Sequence, residues 1–517
     1  MDGRVMQRNV SELFHDRIKG ALASLFDRIS GPDEWIRITR LEIDLGTIDI
    51  DRFDDQFPER IVQSMDELIR KKILHHNSMA PAKDRVPAPG GGDIEIVSAT
   101  GTGLQRLLRF LQAGVLDKTP LGGRDIKSFS VLLGVMLRLD EQPVLEVLQT
   151  ALKKSRLRRR FIFQATDAQI MELMHKLSAK QGRGANEKKA REDLIAFSQI
   201  LITISKRQPV NLDRQKFRFE IWNAALELIL LPERGLLALK KSSEPPALFI
   251  LRNLLSFLPL DKAGAAGLPA ILDLVEREIA SARFSGRNRS AWLPAIEAFK
   301  EEAEERVQKN KGAAGQDKAQ DMPAMGGEIS TNGFSGRRKK PSFTLDIFET
   351  EGVLVGNAGL VLLYPLLPAF FDRSGLLKNK KFINMEACMR AVHLMQYVVT
   401  QREDTPEEDL LLNKILCGLE PDVPVVSEIE VTEAEKEEAG QMLAHFVGQW
   451  QALKNSSAES VRRTYLRREG LIRREGENRG WKVIIERNSF DVLLDRLPWA
   501  ISMFKLPFSK SVFRVEW

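Results

Sequence analysis

Cysteine is nearly missing from this 517-residue chain, with Cys388 and Cys417 its only two. Two thiols are too few for a disulfide framework or a closed zinc site, and they fit synthesis in a reducing compartment. The opening MDGRVMQRNVSELFHDR contains no apolar h-region, so it carries no mark for the general secretion route. A dominant charge sign is lacking too: 77 Lys and Arg stand against 71 Asp and Glu, and a formal +6 over this length is a weak field. Bulk charge therefore gives no reason to expect nucleic acid as a partner. Neither GxxxxGK[ST], HExxH nor GxSxG occurs, which removes the P-loop, zincin and hydrolase-elbow readings.

What is present describes a folded, mainly helical chain. Apolar residues at 43% are too many for general disorder, and charged residues at 29% are too many for a polytopic membrane protein. At roughly 150 residues per domain the length suggests about three folding units.

Residues 1–77 read as a helix-strand-helix unit. Val10, Leu13, Phe14, Ile18, Leu22, Leu25 and Ile29 form a stripe of helical period, and WIRITRLEIDLGTIDI (35–50) alternates as one bent strand or two short ones. A second helix is expected after Pro58. Residues 78–103 form a linker opening on a Pro- and Gly-rich run, 104–309 a helical bundle or helical-pair stack, and 310–341 a linker without apolar period. The segment 342–517 is expected to be α+β. GLIRREGENRGWKVIIER forms a β-hairpin there, SFDVLLDRL a short helix and VFRVEW a terminal strand. The fold class is thus mainly α with small α+β regions at both ends.

Each chemical candidate has a blander competitor. IEIVSATGTGLQRLLRFL (94–111) has the look of strand, glycine loop and helix, the arrangement that cradles a pyrophosphate, but Arg106 stands at the third glycine position. His75 and His76 are adjacent, whereas metal pairs on a helix need steps of three or four. Cys388 and His393 are five apart and read as a buried thiol and a packing imidazole. The basic clusters 152–160, 337–340 and Arg462–Arg479 read as solvated faces or intramolecular charge pairs rather than a phosphate groove. GVLVGNAGLVLLYPLLPAFF (352–371) has twenty uncharged residues, enough to span a bilayer, but Asn357, Pro365 and Pro368 interrupt it and favour core helices joined at a proline turn. No catalytic, cofactor or metal site emerges.

The carboxy-terminal third is more specific. NAGLVLLYPLLPAFFDRSGLL (357–377), RAVHLMQYVVT (390–400), PEEDLLLNKILCGLEPDVPV (406–425), WQALKNSS (450–457), YLRREGLIRREG (465–476) and the segment 487–517 together resemble the tape measure family of contractile injection systems. ITRLEIDLGTI (38–48) is similar to that family's amino-terminal pattern. The resemblance implies a non-enzymatic structural and assembly protein of a phage-tail-like particle, one that sets the length of tube and sheath. It implies inner tube, cap or baseplate proteins as partners, with effector cargo as a further one, no nucleic acid, and membrane contact as the less favoured option. It also implies a cytoplasmic location during assembly and a place inside the tube afterwards. Tyr364, Pro365, Leu419, Pro421, Trp499 and Trp517 become candidate docking or folding positions. The alternative roles are an adaptor or cargo chaperone, and a membrane-active use of 352–371 on ejection. A fully helical chain of this length would reach roughly 780 Å, but Gly and Pro punctuate the middle and favour folded packing over one rod.

Overall fold

The computed structural model describes residues 13, 17–29, 34–38, 43–49, 52–79, 94–121, 124–139, 142–181, 185–207, 213–231, 244–256, 267–280, 291–302, 348–349, 351–475 and 480–517. Much of the Pro- and Gly-rich run at 80–93, all of 310–341 with the basic run 337–340, Arg479, and the side chains of His75 and His76 lie outside that description. The chain divides into two compact units, residues 1–106 with 117–127, and 107–116 with 128–517.

The first unit contains helices Lys19–Ile29 and Phe53–Met79 and an antiparallel strand pair, β1 (Glu34–Ile38) and β2 (Ile94–Ser98). Leu25 and Ile69 are buried in it. The pairing ends at Ile38, and residues 43–49 are not in a strand, because apolar alternation makes a strand only where a partner supplies hydrogen bonds. The second helix begins before Pro58 rather than after it. Proline cannot donate to the carbonyl four residues back, which is that of Asp54, and Arg17 Nη1 donates to that oxygen instead at 3.1 Å. Strand β2 runs directly into helix Ala99–Ala113, so Gly101 and Gly103 are helical and no loop separates strand from helix. The dinucleotide-like reading of 94–111 loses its loop.

The second unit contains the middle helices and the carboxy-terminal α+β layer. Helices Phe129–Arg138, Gln142–Leu152, Ser155–Gln164, Asp167–Gln181, Ala185–Arg207, Arg214–Leu230, Pro246–Leu254 and Gly267–Ala280 are followed by helical residues 291–302. Ser128 and Asp213 cap two of them through side-chain oxygens, and proline opens a third at Pro246. Helix Ala185–Arg207 packs against its neighbours Asp167–Gln181, Arg214–Leu230 and Gly267–Ala280. Phe197 on it stacks on Trp292 with ring centroids 4.3 Å apart, both fully buried.

After Phe348 the expected α+β layer is present. Strands β3 (Val353–Val355), β6 (Gly470–Glu475), β7 (Gly480–Ile484), β8 (Met503–Lys505) and β9 (Val512–Glu516) form one sheet in the order β3-β6-β7-β9-β8, while β4 (Leu377–Lys378) and β5 (Lys381–Phe382) make a separate two-stranded pair. The hairpin β6-β7 is antiparallel, and β9 lies parallel to β7. Ile472, Val483, Phe513 and Val515 are buried, while Arg473 and Arg514 lie on the exposed face, the alternation of a sheet with one wet side.

The uncharged stretch 352–371 becomes β3, a 3-10 helix Ala358–Leu363, and the start of helix Leu367–Arg373. Leu360, Val361, Leu362, Leu363, Phe370 and Phe371 are fully buried among side chains of helices Met385–Thr400 and Glu433–Gln449. Among the described residues no helix is long and apolar enough to cross a membrane.

Candidate functional site

The basic cluster 152–160 divides into exposed and buried arginines. In helix Ser155–Gln164, Arg156 and Arg159 face outward while Arg158 and Arg160 are buried. Arg158 Nε donates to Asn223 Oδ1 at 2.8 Å, its Nη1 to Leu152 O at 3.0 Å, and its Nη2 pairs with Glu227. Burial lowers the Arg158 pKa and Glu227 partly restores it.

Arg160 reaches further along the sequence. Its Nε is 3.1 Å from both carboxylate oxygens of Glu407, Nη1 donates to Leu111 O at 2.6 Å and Nη2 to Asp422 O at 2.6 Å. Lys414 enters from the other side, with Nζ 2.8 Å from Glu407 Oε1, 2.6 Å from Pro421 O and 3.2 Å from Val423 O. All three charged side chains are 0% exposed. Two cations thus share one carboxylate, and four backbone carbonyls face the excess positive charge. A buried charge is tolerable only when its donors are satisfied in this way. Burial pushes the Lys414 amine down, Glu407 opposes that shift, and Arg160 adds to it.

Further polar links surround this junction. Gln164 Oε1 accepts from the Glu407 backbone N–H at 3.1 Å, and its Nε2 donates to Val425 O at 2.8 Å. Ser427 Oγ donates to Phe163 O at 2.9 Å. Glu408 Oε1 accepts from the Phe129 N–H at 2.9 Å, a carboxylate at the first residue of helix Phe129–Arg138, where the free amides and helix dipole favour an anion. Exposed Arg156 pairs with Asp422. The segment PEEDLLLNKILCGLEPDVPV is therefore two-faced. Leu410, Leu411, Leu412, Ile415 and Leu416 enter the carboxy-terminal core, while Glu407, Glu408 and Asp422 hold residues before position 161 and Lys414 braces Glu407 from within the segment.

Two other polar groups organise the carboxy-terminal layer. Asn357 Nδ2 donates to Gln396 Oε1 and Asn413 Oδ1, each at 2.7 Å, and Asn413 Nδ2 donates to Val392 O at 3.0 Å. Asp491 accepts a bidentate pair from Arg468 at 2.8 and 2.9 Å, the Asn488 N–H at 2.8 Å and the Trp517 indole N–H at 3.0 Å. Burial alone would raise the Asp491 carboxyl, but these four donors hold it below the usual carboxylate range. The Arg468 guanidinium also lies over the Trp517 ring, 5.3 Å from its centroid.

Of the six candidate docking or folding positions, Tyr364, Leu419, Trp499 and Trp517 pack against the carboxy-terminal core. Tyr364 stacks on Phe504 at 4.2 Å and donates to Ala500 O at 3.1 Å. Pro365 follows it in a half-buried turn. Leu419 packs on the core, and Pro421 is buried with its carbonyl on Lys414. Trp499 donates to Leu362 O at 3.2 Å, and Trp517 is held by Asp491. Of the six, only Pro421 belongs to the charged junction.

Arg160, Glu407 and Lys414 escape a sequence reading. The available signal is a lysine and two glutamates in an otherwise leucine-rich run. Cys388 and His393 are both buried, and His393 Nε2 lies 3.0 Å from Val426 O. Arginines of the last basic cluster are likewise spent internally: Arg462 donates to Val398 O at 2.8 Å and Arg467 to Val399 O at 3.0 Å. Among the described residues no group of three or more His, Cys, Asp or Glu could hold a metal ion.

These polar side chains join segments of their own chain. Residues 1–517, the whole sequence, match the family described as contractile injection system tape measure protein, and the chain belongs to that family. No curated protein and no solved structure matches it.

Proposed function

We propose that this chain sets the length of tube and sheath in a contractile injection particle and takes part in their assembly. Its carboxy-terminal layer docks on inner tube, cap or baseplate proteins, and residues 104–309 carry the length information. The observation that carries this reading is the family match over every residue of the chain. On this reading Tyr364, Pro365, Leu419, Pro421, Trp499 and Trp517 serve folding, and docking falls to neighbouring apolar side chains that the core leaves out. Phe490, Val492 and Met503 are 63%, 64% and 55% exposed within the motif-bearing segment 487–517. The chain is held in the cytoplasm during assembly and inside the tube afterwards.

The packing limits how the rule can work. The helix Ala185–Arg207 has 23 residues and spans roughly 35 Å at the α-helical rise, far short of the reach of a fully helical chain of this length. Length then follows from an unpacked chain, from several copies or through an indirect rule. In-frame insertions and deletions within 104–309, with particle length measured by electron microscopy, test the role. Proportional changes support the ruler, whereas unchanged lengths with normal assembly reject it. Co-purification with effectors and no length effect would favour an adaptor or cargo chaperone.

A further inference from the structure

The two cysteines of this chain are neighbours in space. Cys388 lies in the first turn of helix Met385–Thr400, and Cys417 ends helix Leu411–Leu416, 29 positions later. Cys388 Sγ is 3.7 Å from the backbone carbonyl oxygen of Cys417, and both cysteines are buried. Two small apolar residues filling a core would account for burial. Burial does not account for their meeting, because a buried residue touches roughly 6–12 others and this core offers many more.

We propose that Cys388 and Cys417 form an intramolecular disulfide when the chain leaves reducing surroundings and meets a small-molecule disulfide such as oxidised glutathione. The Cys388 thiolate attacks one sulfur of the oxidant, forms a mixed disulfide and expels one small thiolate. Cys417 then loses its proton and attacks Cys388 Sγ, forming the Cys388–Cys417 bond and releasing the second small thiolate, and both leaving groups take up protons. Two protein thiols have lost two hydrogens, and one small disulfide has become two thiols. Cys388 is placed first because it is the more exposed of the pair. Burial pushes the Cys417 thiol well up, so the folded dithiol persists until the helix ends open and then closes on its neighbour. The bond would brace the segment that carries Lys414 and Pro421 to helix Met385–Thr400, strengthening one side of the charged junction.

The test uses the full-length protein incubated with oxidised glutathione, followed by intact mass under non-reducing conditions and peptide mapping. The expected result is loss of both free thiols, a mass lower by two hydrogens, and one cross-linked peptide pair. A urea midpoint should rise and return with dithiothreitol. Cys388→Ala and Cys417→Ala should each keep one thiol, show no rise, and form at most a mixed disulfide. Two thiols surviving in the wild type, a stable mixed disulfide on either one, or disulfide-linked dimers would each overturn the proposal.

Discussion

Gly114 sits against the Glu407 carboxylate: its φ is +71°, and a Cβ built there would lie 2.6 Å from Glu407 Oε1 and 3.2 Å from both Arg160 Nη2 and Lys414 Nζ. The left-handed backbone alone favours glycine, and here no side-chain volume is available either. Gly114→Ala must push apart three buried charged groups. We expect a loss of about 2–4 kcal/mol in urea unfolding, more than backbone strain alone would give.

Removing the shared carboxylate tests the junction from its other side. Glu407→Gln leaves Arg160 and Lys414 buried with their carbonyl partners and with Asp422 as the remaining counter-charge, which should cost about 3–5 kcal/mol. Glu433 is the control, because its side chain is 90% exposed beside Lys436. Glu433→Gln should change stability by less than about 0.5 kcal/mol. Equal effects of the two substitutions on the urea midpoint would contradict the importance given to the junction.

Two glycines with opposite surroundings give a paired prediction. At Gly359 a Cβ would stand 1.7 Å from Tyr465 O, backbone against backbone, while at Gly440 it would meet nothing within 4 Å. Gly359→Ala should lose at least about 3 kcal/mol or fail to yield soluble protein. Gly440 lies inside helix Glu433–Gln449, so Gly440→Ala should gain about 0.5–1 kcal/mol. Circular dichroism melts of the two variants would read the contrast.

His393 predicts an acid limb to stability. Burial, with a smaller contribution from Arg390, lowers its pKa from 6.5 to about 4, against the hydrogen bond to Val426 O. Below pH 6.5 the unfolded chain takes up a proton that the folded chain refuses. Stability therefore falls as pH drops from about 6.5 to about 4, by about 3 kcal/mol in all, and this contribution is complete below 4. His393→Gln keeps an N–H donor for Val426 and removes the titration. Unfolding free energies between pH 7 and 4 should be flatter for the variant by that amount.

The sequence was most legible where a signal was local. The hairpin β6-β7 follows from alternation around a turn, and the breaking of 352–371 from its prolines and Asn357. Pro58 misled because its consequence is settled by Arg17, far along the chain, which takes the orphaned Asp54 carbonyl. Gly101 and Gly103 misled because spacing does not reveal that β2 enters the helix without a loop. Of the candidate positions, Trp499 and Trp517 could be named from their motifs, but their acceptors, Leu362 O and Asp491, could not. The charged junction left only the faint mark of charges in a leucine-rich run, since Arg160 and Glu407 are 247 positions apart and neither residue alone differs from a surface charge.

That separation has a consequence in time. Contacts distant in sequence form late, whereas helices form locally and early. While the chain is being made, Arg160 emerges long before the Glu407 carboxylate that will neutralise it, and β3 long before its neighbour β6. Between those moments the growing chain presents an unpaired cation, an open strand edge and uncovered apolar helix faces, which is the interval of greatest exposure to partners and to aggregation. Closure of the junction and then pairing of β3 with β6 end that interval, so the order of synthesis is written into which residue waits for which.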